Sequence, residues 1–328
     1  MKRTVPFVKV IIGSRRGIAL LTVLWVLAIL MVIVFSFSFA TRTEIQATLS
    51  FKEGLEKKFL AEAGMERAIL ELFYRKQNLS LEGSDPWKTD GTAYSGQLGE
   101  GSYTVKVFDE SGKVDINSHP EVILRNLVAN LGLEEETVNT IVDSILDWKD
   151  ADDFHRLQGA ESDYYQSLPN PYKAKNAPFE TVEELLLVKG VTPRILYGGD
   201  KKKGLIHFIT VQGKSNKVNL NAAPREVLLA VPGMTVAMAE GILIYRQEQE
   251  IKNIQEIMGI LGDQQALILP FVTVASSTTF TIESMGFTKS KQAGYGLRAT
   301  ISLTGDNKSP CLYFKSPALL MEKDGSSE

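Results

Sequence analysis

The strongest hydrophobic pattern in the chain lies near its amino terminus. Residues from Ile18 to Ala40 form a run of 23 without a charged side chain. As an α-helix at about 1.5 Å per residue, this run would extend roughly 35 Å, enough to cross a bilayer core of about 30 Å. It is longer than the apolar region of about 7–15 residues in cleaved signal peptides, although small residues near Ser38 leave a signal-peptidase site as the alternative. The pattern predicts a transmembrane helix segment over 18–40.

The following segment continues with helical periodicity. No proline interrupts residues 7–85, and residues 41–75 are rich in Glu, Lys, Ala and Leu. Apolar residues recur at helical spacing, beginning with Leu55, Phe59 and Leu60, so one face of the helix is apolar. We therefore expect 41–75 to continue the membrane helix without a break and to pack on a folded body.

Strand-like alternation begins after residue 100. Gly101–Asp109 alternates, a Ser-Gly turn follows, and Val114–Asn117 can return as a second strand, which predicts a hairpin. Residues 76–100 are predicted to be loop. Further strand patterns occur at 271–275, 278–284, 294–303 and 311–314. The predicted fold class is α+β: a long N-terminal helix packed on an antiparallel sheet built from 76–117 and 271–328, with 118–270 as a large, mostly helical insertion.

A short internal sequence repeat, which we call the echo, lies within this region. Lys113–Pro120 has the sequence KVDINSHP, and Lys217–Pro224, 104 residues later, has the sequence KVNLNAAP. In each copy a strand pattern leads through an Asn to a Pro that opens a helix, which predicts Asn117 and Asn221 at or beside helix N-caps. We interpret the copies as two related joints between sheet and helical substructures, because a solenoid needs about three repeats or more.

The second copy leads into a helix-hairpin-helix pattern at Leu228–Ile242, and Glu184–Val191 is a looser relative. In DNA-binding versions of this motif, backbone N–H groups hold phosphate and basic side chains surround them. Residues 226–242 contain no Lys or Arg. A packing module is therefore the favoured interpretation, and a membrane-anchored DNA receptor is the alternative function.

The charge distribution also disfavours nucleic acid. The formal net charge is −3, and the first 17 residues carry five basic and no acidic side chains, which leaves −8 for the remainder. A phosphate backbone requires clustered positive charge, whereas a basic leader keeps the amino terminus in the cytoplasm and the body on the other side of the membrane. With one cysteine, Cys311, and three histidines, we expect no multi-cysteine or histidine-rich metal site. We also expect no enzyme, because the motifs supply no nucleophile, base and acid.

Acidic residues concentrate between the two copies of the echo. The cluster comprises Asp143, Asp147, Asp150, Asp152, Asp153, Glu161 and Asp163. Calcium takes about six to eight oxygen ligands, often from a flexible loop. The spacing is not that of an EF-hand, which requires a glycine at its sixth position. Composition alone leaves two interpretations open, a calcium-binding loop and a solvated acidic loop.

Several motifs in order resemble a single family. They are Arg16–Ala28 (RGIALLTVLWVLA), Asp147–Asp152 (DWKDAD), Gly159–Glu161 with a following Tyr, Pro178–Gly190 (PFETVEELLLVKG) and Val218–Pro224 (VNLNAAP). Together they are similar to the minor pseudopilin K family of type II secretion systems (general secretion pathway protein K), from residue 16 to about 242. The resemblance implies a pilin-like helix and sheet with a helical insertion that binds calcium.

The resemblance also implies processing and ligand residues. Residues 1–17 would be a prepilin leader, cut between Gly17 and Ile18 by a prepilin peptidase that then methylates Ile18. The family usually has Glu at the fifth mature position, where this chain has Thr22. We interpret the departure as a sign of the filament tip, because a Glu in lipid is costly without a positive partner from a neighbouring subunit. The acidic residues that match the family's motif are Asp147, Asp150, Asp152 and Glu161, and together with Asp163 they are the candidate ligands of a structural Ca²⁺. Gln158 or a backbone carbonyl would complete the shell.

The implied function is non-enzymatic. The chain would be the tip subunit of a periplasmic pseudopilus, helping to initiate its assembly and the export of folded proteins across the outer membrane. Expected partners are two smaller minor pseudopilins (I and J type), other pseudopilins, the prepilin peptidase and the inner-membrane assembly platform, with further contact to exported substrates or the outer-membrane secretin and none to nucleic acid. The expected location is the inner membrane, single-pass, with a cytoplasmic amino terminus and a periplasmic body.

Overall fold

The computed structural model describes residues 16–76, 86–199, 202–289, 293–303 and 309–318. The chain divides into two compact units, Met1–Glu56 and Lys57–Glu328. Parts of three predicted features lie outside the described residues: the leader up to residue 15, residues 77–85 of the predicted loop, and the end of the sheet region from residue 319.

Helices and strands alternate along the described residues. The α-helices are α1 (Arg16–Lys76), α2 (Glu121–Ala129), α3 (Glu135–Lys149), α4 (Ser162–Gln166), α5 (Pro193–Tyr197), α6 (Arg225–Leu228), α7 (Val236–Glu248), α8 (Met258–Leu261) and α9 (Gln265–Ile268). Short 3-10 helices occupy Glu110–Gly112, Val182–Leu187, Leu205–His207, Ile254–Ile257, Gly262–Gln264 and Leu269–Phe271. The strands are β1 (Asp90–Leu98), β2 (Gly101–Asp109), β3 (Val114–Asp115), β4 (Gly198–Gly199), β5 (Lys202–Lys203), β6 (Ile209–Thr210), β7 (Val218–Asn219), β8 (Val272–Thr273), β9 (Thr279–Phe287), β10 (Tyr295–Ser302) and β11 (Cys311–Lys315).

Helix α1 is continuous over 61 residues, as the absence of proline predicts. In the first unit its apolar side chains between Ile18 and Phe39 are exposed. By length and composition the helix can cross a membrane. Since side chains of this kind need an apolar surrounding, this part of α1 is a candidate single membrane anchor.

In the second unit, α1 packs on the sheet through Ala61, Met65, Ala68 and Leu72. These residues are three or four apart and therefore share one face of the helix. They form a core with alternate residues of β2, β9 and β10, including Val105, Ile282 and Ala299. The predicted apolar stripe was only partly right, because Leu60 is buried whereas Phe59 is exposed.

The main sheet has the strand order β1-β2-β9-β10-β11, and all its neighbouring strands are antiparallel. The predicted hairpin between 101–109 and 114–117 is wrong. The hairpin partner of β2 is β1, in a segment predicted to be loop. Strand β1 was not predicted because it lies at the edge of the sheet. Its sequence, rich in Gly, Thr, Ser and Gln, lacks the alternation of apolar and polar residues by which the other strands were predicted.

The chain leaves this sheet after Asp109 and returns at Thr279, and the intervening residues build a second hydrophobic core. Val114, Ile116 and Val272 belong to this second core, so it extends on both sides of the predicted limits 118–270. The predicted strand 271–275 is likewise reduced to β8, which pairs with β7 and not with the main sheet.

The echo in the sequence corresponds to a repeated structure. Strand β3 pairs in parallel with β6, and β7 pairs in parallel with β8. Asn117 exchanges two hydrogen bonds with the backbone of Phe179, and Asn221 does the same with Ile251. The predicted capping role of these asparagines is therefore wrong, since Pro120 and Pro224 occupy the N-cap positions. Each one links its strand to a segment far along the chain.

The two repeats differ at one place. After α7, Gln249 and Glu250 lead directly to Ile251, whereas after α3 the chain takes residues 150–178 to reach Phe179. The first repeat therefore carries an additional loop at the end of α3. This loop contains most of the acidic cluster.

Candidate metal centre and its relatives

The acidic residues lie at the end of α3, in the additional loop and at the start of α4. Asp143 and Asp147 lie one turn apart on the buried side of α3, and Asp150 follows its last residue. Glu161 immediately precedes α4, whose Tyr165 packs edge-on against Trp148 of α3 with ring centroids 5.2 Å apart. This aromatic contact fixes the two helix ends between which the carboxylates lie.

Three of the five predicted ligands meet. One carboxylate oxygen from each of Asp150, Asp152 and Glu161 lies within 4.8 Å of the others. Calcium binds oxygen at about 2.3–2.6 Å, so oxygens on opposite sides of the ion lie up to about 5 Å apart. The spacing of the three carboxylates therefore fits one Ca²⁺.

Of the three carboxylates, Glu161 is the most deeply buried and the least well hydrogen-bonded. Its side chain is 1% exposed, and neither carboxylate oxygen has a hydrogen-bond partner among the described residues. Burial, together with the nearby Asp147, Asp150 and Asp153, raises the pKa of Glu161 to about 7. Buried polar atoms in native proteins are almost always satisfied. A cation would satisfy both oxygens and offset the repulsion among the carboxylates.

The other two predicted ligands have different partners. Asp147 is fully buried and forms an ion pair with Arg156 (2.6 Å), which also binds Asp150 at 2.7 Å. Asp163 is exposed and accepts a bond from His155 Nε2 at 2.9 Å. Arg156 thus already neutralises part of the cluster, and Glu161 is the carboxylate of the cluster whose two oxygens both lack a hydrogen-bond partner among the described residues.

Two amide oxygens in the same part of the chain also lack hydrogen-bond partners among the described residues. They are the side-chain oxygens of Gln158 and Asn176. Gln158 is the residue that the resemblance suggested for completing the shell. Asn176 was missed, because its backbone φ of 48° and its bond to the Asp152 carbonyl depend on how the additional loop folds back.

The fold and this cluster together define a class of protein. A long helix packed on an antiparallel sheet, with a helical domain inserted between two neighbouring strands, is a pilin-like α+β architecture, and the apolar first part of the helix is a candidate membrane anchor. Within that class, residues 105–197 match the family model described as type II secretion system (T2SS), protein K.

Known relatives agree with that match. The chain is 27% identical over 259 residues to type II secretion system protein K of Pseudomonas aeruginosa, covering 73% of this chain and 75% of the relative. It is 29% identical to the protein of that name from Pectobacterium carotovorum, covering 55% of this chain and 59% of the relative. A chain of the crystal structure of the GspK–GspI–GspJ complex from enterotoxigenic Escherichia coli has the same fold, with a TM-score of 0.61, 17% identity, and coverage of 83% of this chain and all of that one.

The predicted family resemblance and fold class are therefore confirmed. The chain is similar to type II secretion system protein K over the spans given above, and it has the fold of the matched chain in the GspK–GspI–GspJ complex. The match supports a minor pseudopilin role in protein secretion. The relatives compared above are named for a secretion system and not for an enzymatic activity.

Proposed function

We propose that this chain is the tip subunit of a periplasmic pseudopilus and helps to initiate its assembly. The observation that carries the proposal is the inserted domain. It enters between β2 and β9, which are direct neighbours in the sheet, and it has a hydrophobic core of its own. A subunit inside a filament is packed on all sides by slender neighbours, whereas the tip has room for this bulk.

Position 22 supports the same proposal. The hydroxyl of Thr22 donates to the carbonyl of Ala19 at 2.8 Å, so this side chain is satisfied within its own helix. It brings no charge into the membrane and needs no partner from a subunit above it. The two smaller minor pseudopilins of the I and J type are the proposed neighbours below, since the solved structure with this fold is a GspK–GspI–GspJ complex.

The proposed membrane arrangement follows from the basic leader. The amino terminus lies in the cytoplasm, α1 crosses the inner membrane once, and the body is periplasmic. The prepilin peptidase cuts between Gly17 and Ile18 and methylates Ile18. The assembly platform then draws the subunit into the pseudopilus, where the secretin or exported substrates contact it. A DNA receptor, the alternative, has no support from relatives named for protein secretion.

We also propose that the metal centre holds a structural Ca²⁺. Asp150, Asp152 and Glu161 would bind the ion, and Gln158 or Asn176 would supply a neutral oxygen. An ion bound there would link the end of α3 to the start of α4. The support is the donor chemistry, because negatively charged carboxylate oxygens and amide oxygens are the hard ligands that calcium prefers.

The testing measurement is the amino-terminal sequence and intact mass of the membrane-extracted protein, with and without the prepilin peptidase. We expect a peptidase-dependent start at Ile18, heavier by one methyl group, and no cleavage in a Gly17→Leu variant. A start at Met1, or cleavage near Ala40, would contradict the proposal that the chain is processed and anchored as a pseudopilin. Site-specific crosslinking to the two smaller minor pseudopilins then tests the tip position.

A further inference from the structure

The loop beside the proposed calcium site carries two large apolar side chains that are exposed to solvent. Phe154 is 81% exposed and Leu157 is 96% exposed. They lie three residues apart, between the carboxylates of Asp152 and Glu161. We call residues 152–158 the apolar loop.

The backbone of the apolar loop is held from within. The N–H of Phe154 donates to Asp152 (2.9 Å), that of Arg156 to Asp147 (3.2 Å) and that of Gln158 to Asp143 (3.2 Å). Alternate amides are thus bound by carboxylates, while the side chains of Phe154 and Leu157 remain exposed to solvent. The exposure of Phe154 and Leu157 therefore accompanies an ordered backbone.

Two further contacts close the base of the loop. Gly159 lies so close to Asp147 that a Cβ at this position would overlap the carboxylate. Lys189 reaches the Gly159 carbonyl at 3.0 Å, and Asn176 donates to the Asp152 carbonyl at 3.2 Å. Apolar side chains presented on a fixed backbone lose little conformational freedom when they bind, which is the property of a preorganised anchor.

We infer that the apolar loop is a docking site for a protein whose surface has an apolar hollow bordered by Lys or Arg. The charge around the loop selects this occupant. Residues 147–163 contain six carboxylates against Lys149 and Arg156, a formal charge of −4 that one Ca²⁺ would reduce to −2. An anionic lipid surface or a nucleic acid would be repelled, whereas a basic border would be attracted.

The inference rests on the proposed calcium site for one point. The ion would join Asp152, at the start of the loop, to Glu161, just beyond its end. Loss of the ion would loosen the base of the loop and double its negative charge. Docking should therefore depend on the cation as well as on the two apolar side chains.

The experiment places the photocrosslinker p-benzoylphenylalanine at position 154 or 157 of the full-length chain, in cells that contain its secretion system. We expect both positions to give an adduct with the same protein, whose crosslinked peptide contains Lys or Arg. The adduct should weaken at high salt. The crosslinker at Ile244, an exposed position on α7 in the repeat without the loop, should not give this adduct.

A secretion assay completes the test. The double variant Phe154→Ser, Leu157→Ser should lower the exported protein in the medium about tenfold, whereas Ile244→Ser, Leu267→Ser should not. Lipid adducts, no adduct at 154 and 157, or equal secretion by the two double variants would overturn the inference. An adduct that persists in Asp152→Asn would overturn its dependence on the cation. Failure of the tip proposal is separate, because it appears as a chain that is not cut at Gly17 or does not crosslink to the smaller minor pseudopilins.

Discussion

At the scale of single residues, Glu161 has the strongest physical reason to require a partner. It is buried, and neither of its oxygens is bonded within the described residues, while Asp150 and Asp152 lie near it. A carboxylate in such surroundings is either protonated or bound to a cation.

A Glu161→Gln variant should distinguish these states. Calcium at about 100 times its dissociation constant stabilises a protein by about 2.7 kcal/mol, and for a body of this size that raises the melting temperature by roughly 5–10 °C. We expect the variant to lose most of this rise and to be no less stable than the parent in chelator. The control is Glu136→Gln, exposed on α3, which should keep the full rise. An unchanged calcium response in Glu161→Gln would rule this residue out as a ligand.

A second residue-scale feature lies at the junction of sheet and insertion. Burial alone would raise the pKa of Glu110, but its ion pair with Lys113 (2.7 Å) and hydrogen bonds from Thr210 and Thr281 outweigh burial and hold the pKa below its ordinary value of 4.5. A lowered folded-state pKa means that the ionised group stabilises the fold above its unfolded-state pKa. This contribution is lost as the pH falls through the folded-state value.

The Glu110→Gln variant should therefore be less stable at pH 7, by about 1–3 kcal/mol, since the partly buried Lys113 loses its ionic partner. Its stability should also fall less steeply than that of the parent below about pH 4. Urea unfolding at pH 7 and pH 3 measures both effects, with the exposed Glu248→Gln as control. Parallel acid profiles for parent and Glu110→Gln would show that Glu110 is not a source of the acid sensitivity.

At the scale of elements, α1 approaches the sheet closely enough for two backbones to touch. A Cβ added at Gly286 of β9 would overlap the carbonyl oxygen of Lys57 in α1. Backbone cannot move aside as the end of a side chain can, so the contact requires glycine.

We expect Gly286→Ala to destabilise the body by about 1–3 kcal/mol through overpacking. Gly259→Ala is the matched control, because a Cβ at Gly259 meets no atom within 4 Å. Chemical denaturation of the two variants measures the difference. Equal stability of the two variants would mean that α1 shifts on the sheet without cost.

At the scale of the whole molecule, the insertion and the sheet have separate hydrophobic cores. Asp109 and Phe280 face each other in the β2–β9 ladder, so the insertion leaves and re-enters at adjacent positions. The sheet can therefore close without it.

Replacing residues 111–278 by the two-residue turn Asn-Gly should leave a folded, slender subunit. Combined with Thr22→Glu, this variant should appear along pseudopili as well as at their ends, because both barriers to an internal position have been removed. Labelled-subunit electron microscopy measures the distribution, and Thr22→Glu in the full-length chain is the control. Incorporation of that control along the filament would contradict the steric role of the insertion.

The sequence by itself determined the features that depend on local pattern. An uncharged run from Ile18 to Ala40 can only be stable as a helix in an apolar surrounding, and the alternation in β2, β9 and β10 specifies strands with one buried face. The repeated KVDIN and KVNLN segments indicated two related joints, which the structure confirms as two parallel ladders. The family resemblance named five candidate metal ligands, and three of them, Asp150, Asp152 and Glu161, lie together in the fold.

Tertiary structure decided what depends on distant partners. Residues 90–98 form strand β1 because β2 offers them backbone hydrogen bonds. The polar residues of β1 give no sequence pattern from which this pairing could be predicted. Likewise, only the folded loop brings Arg156 to Asp147, leaves Glu161 buried beside Asp150 and Asp152, and exposes Phe154 and Leu157 on a fixed backbone. The sequence gives the position of every charged and apolar residue. Whether such a residue is ion-paired, buried or exposed depends on which distant parts of the chain pack against it.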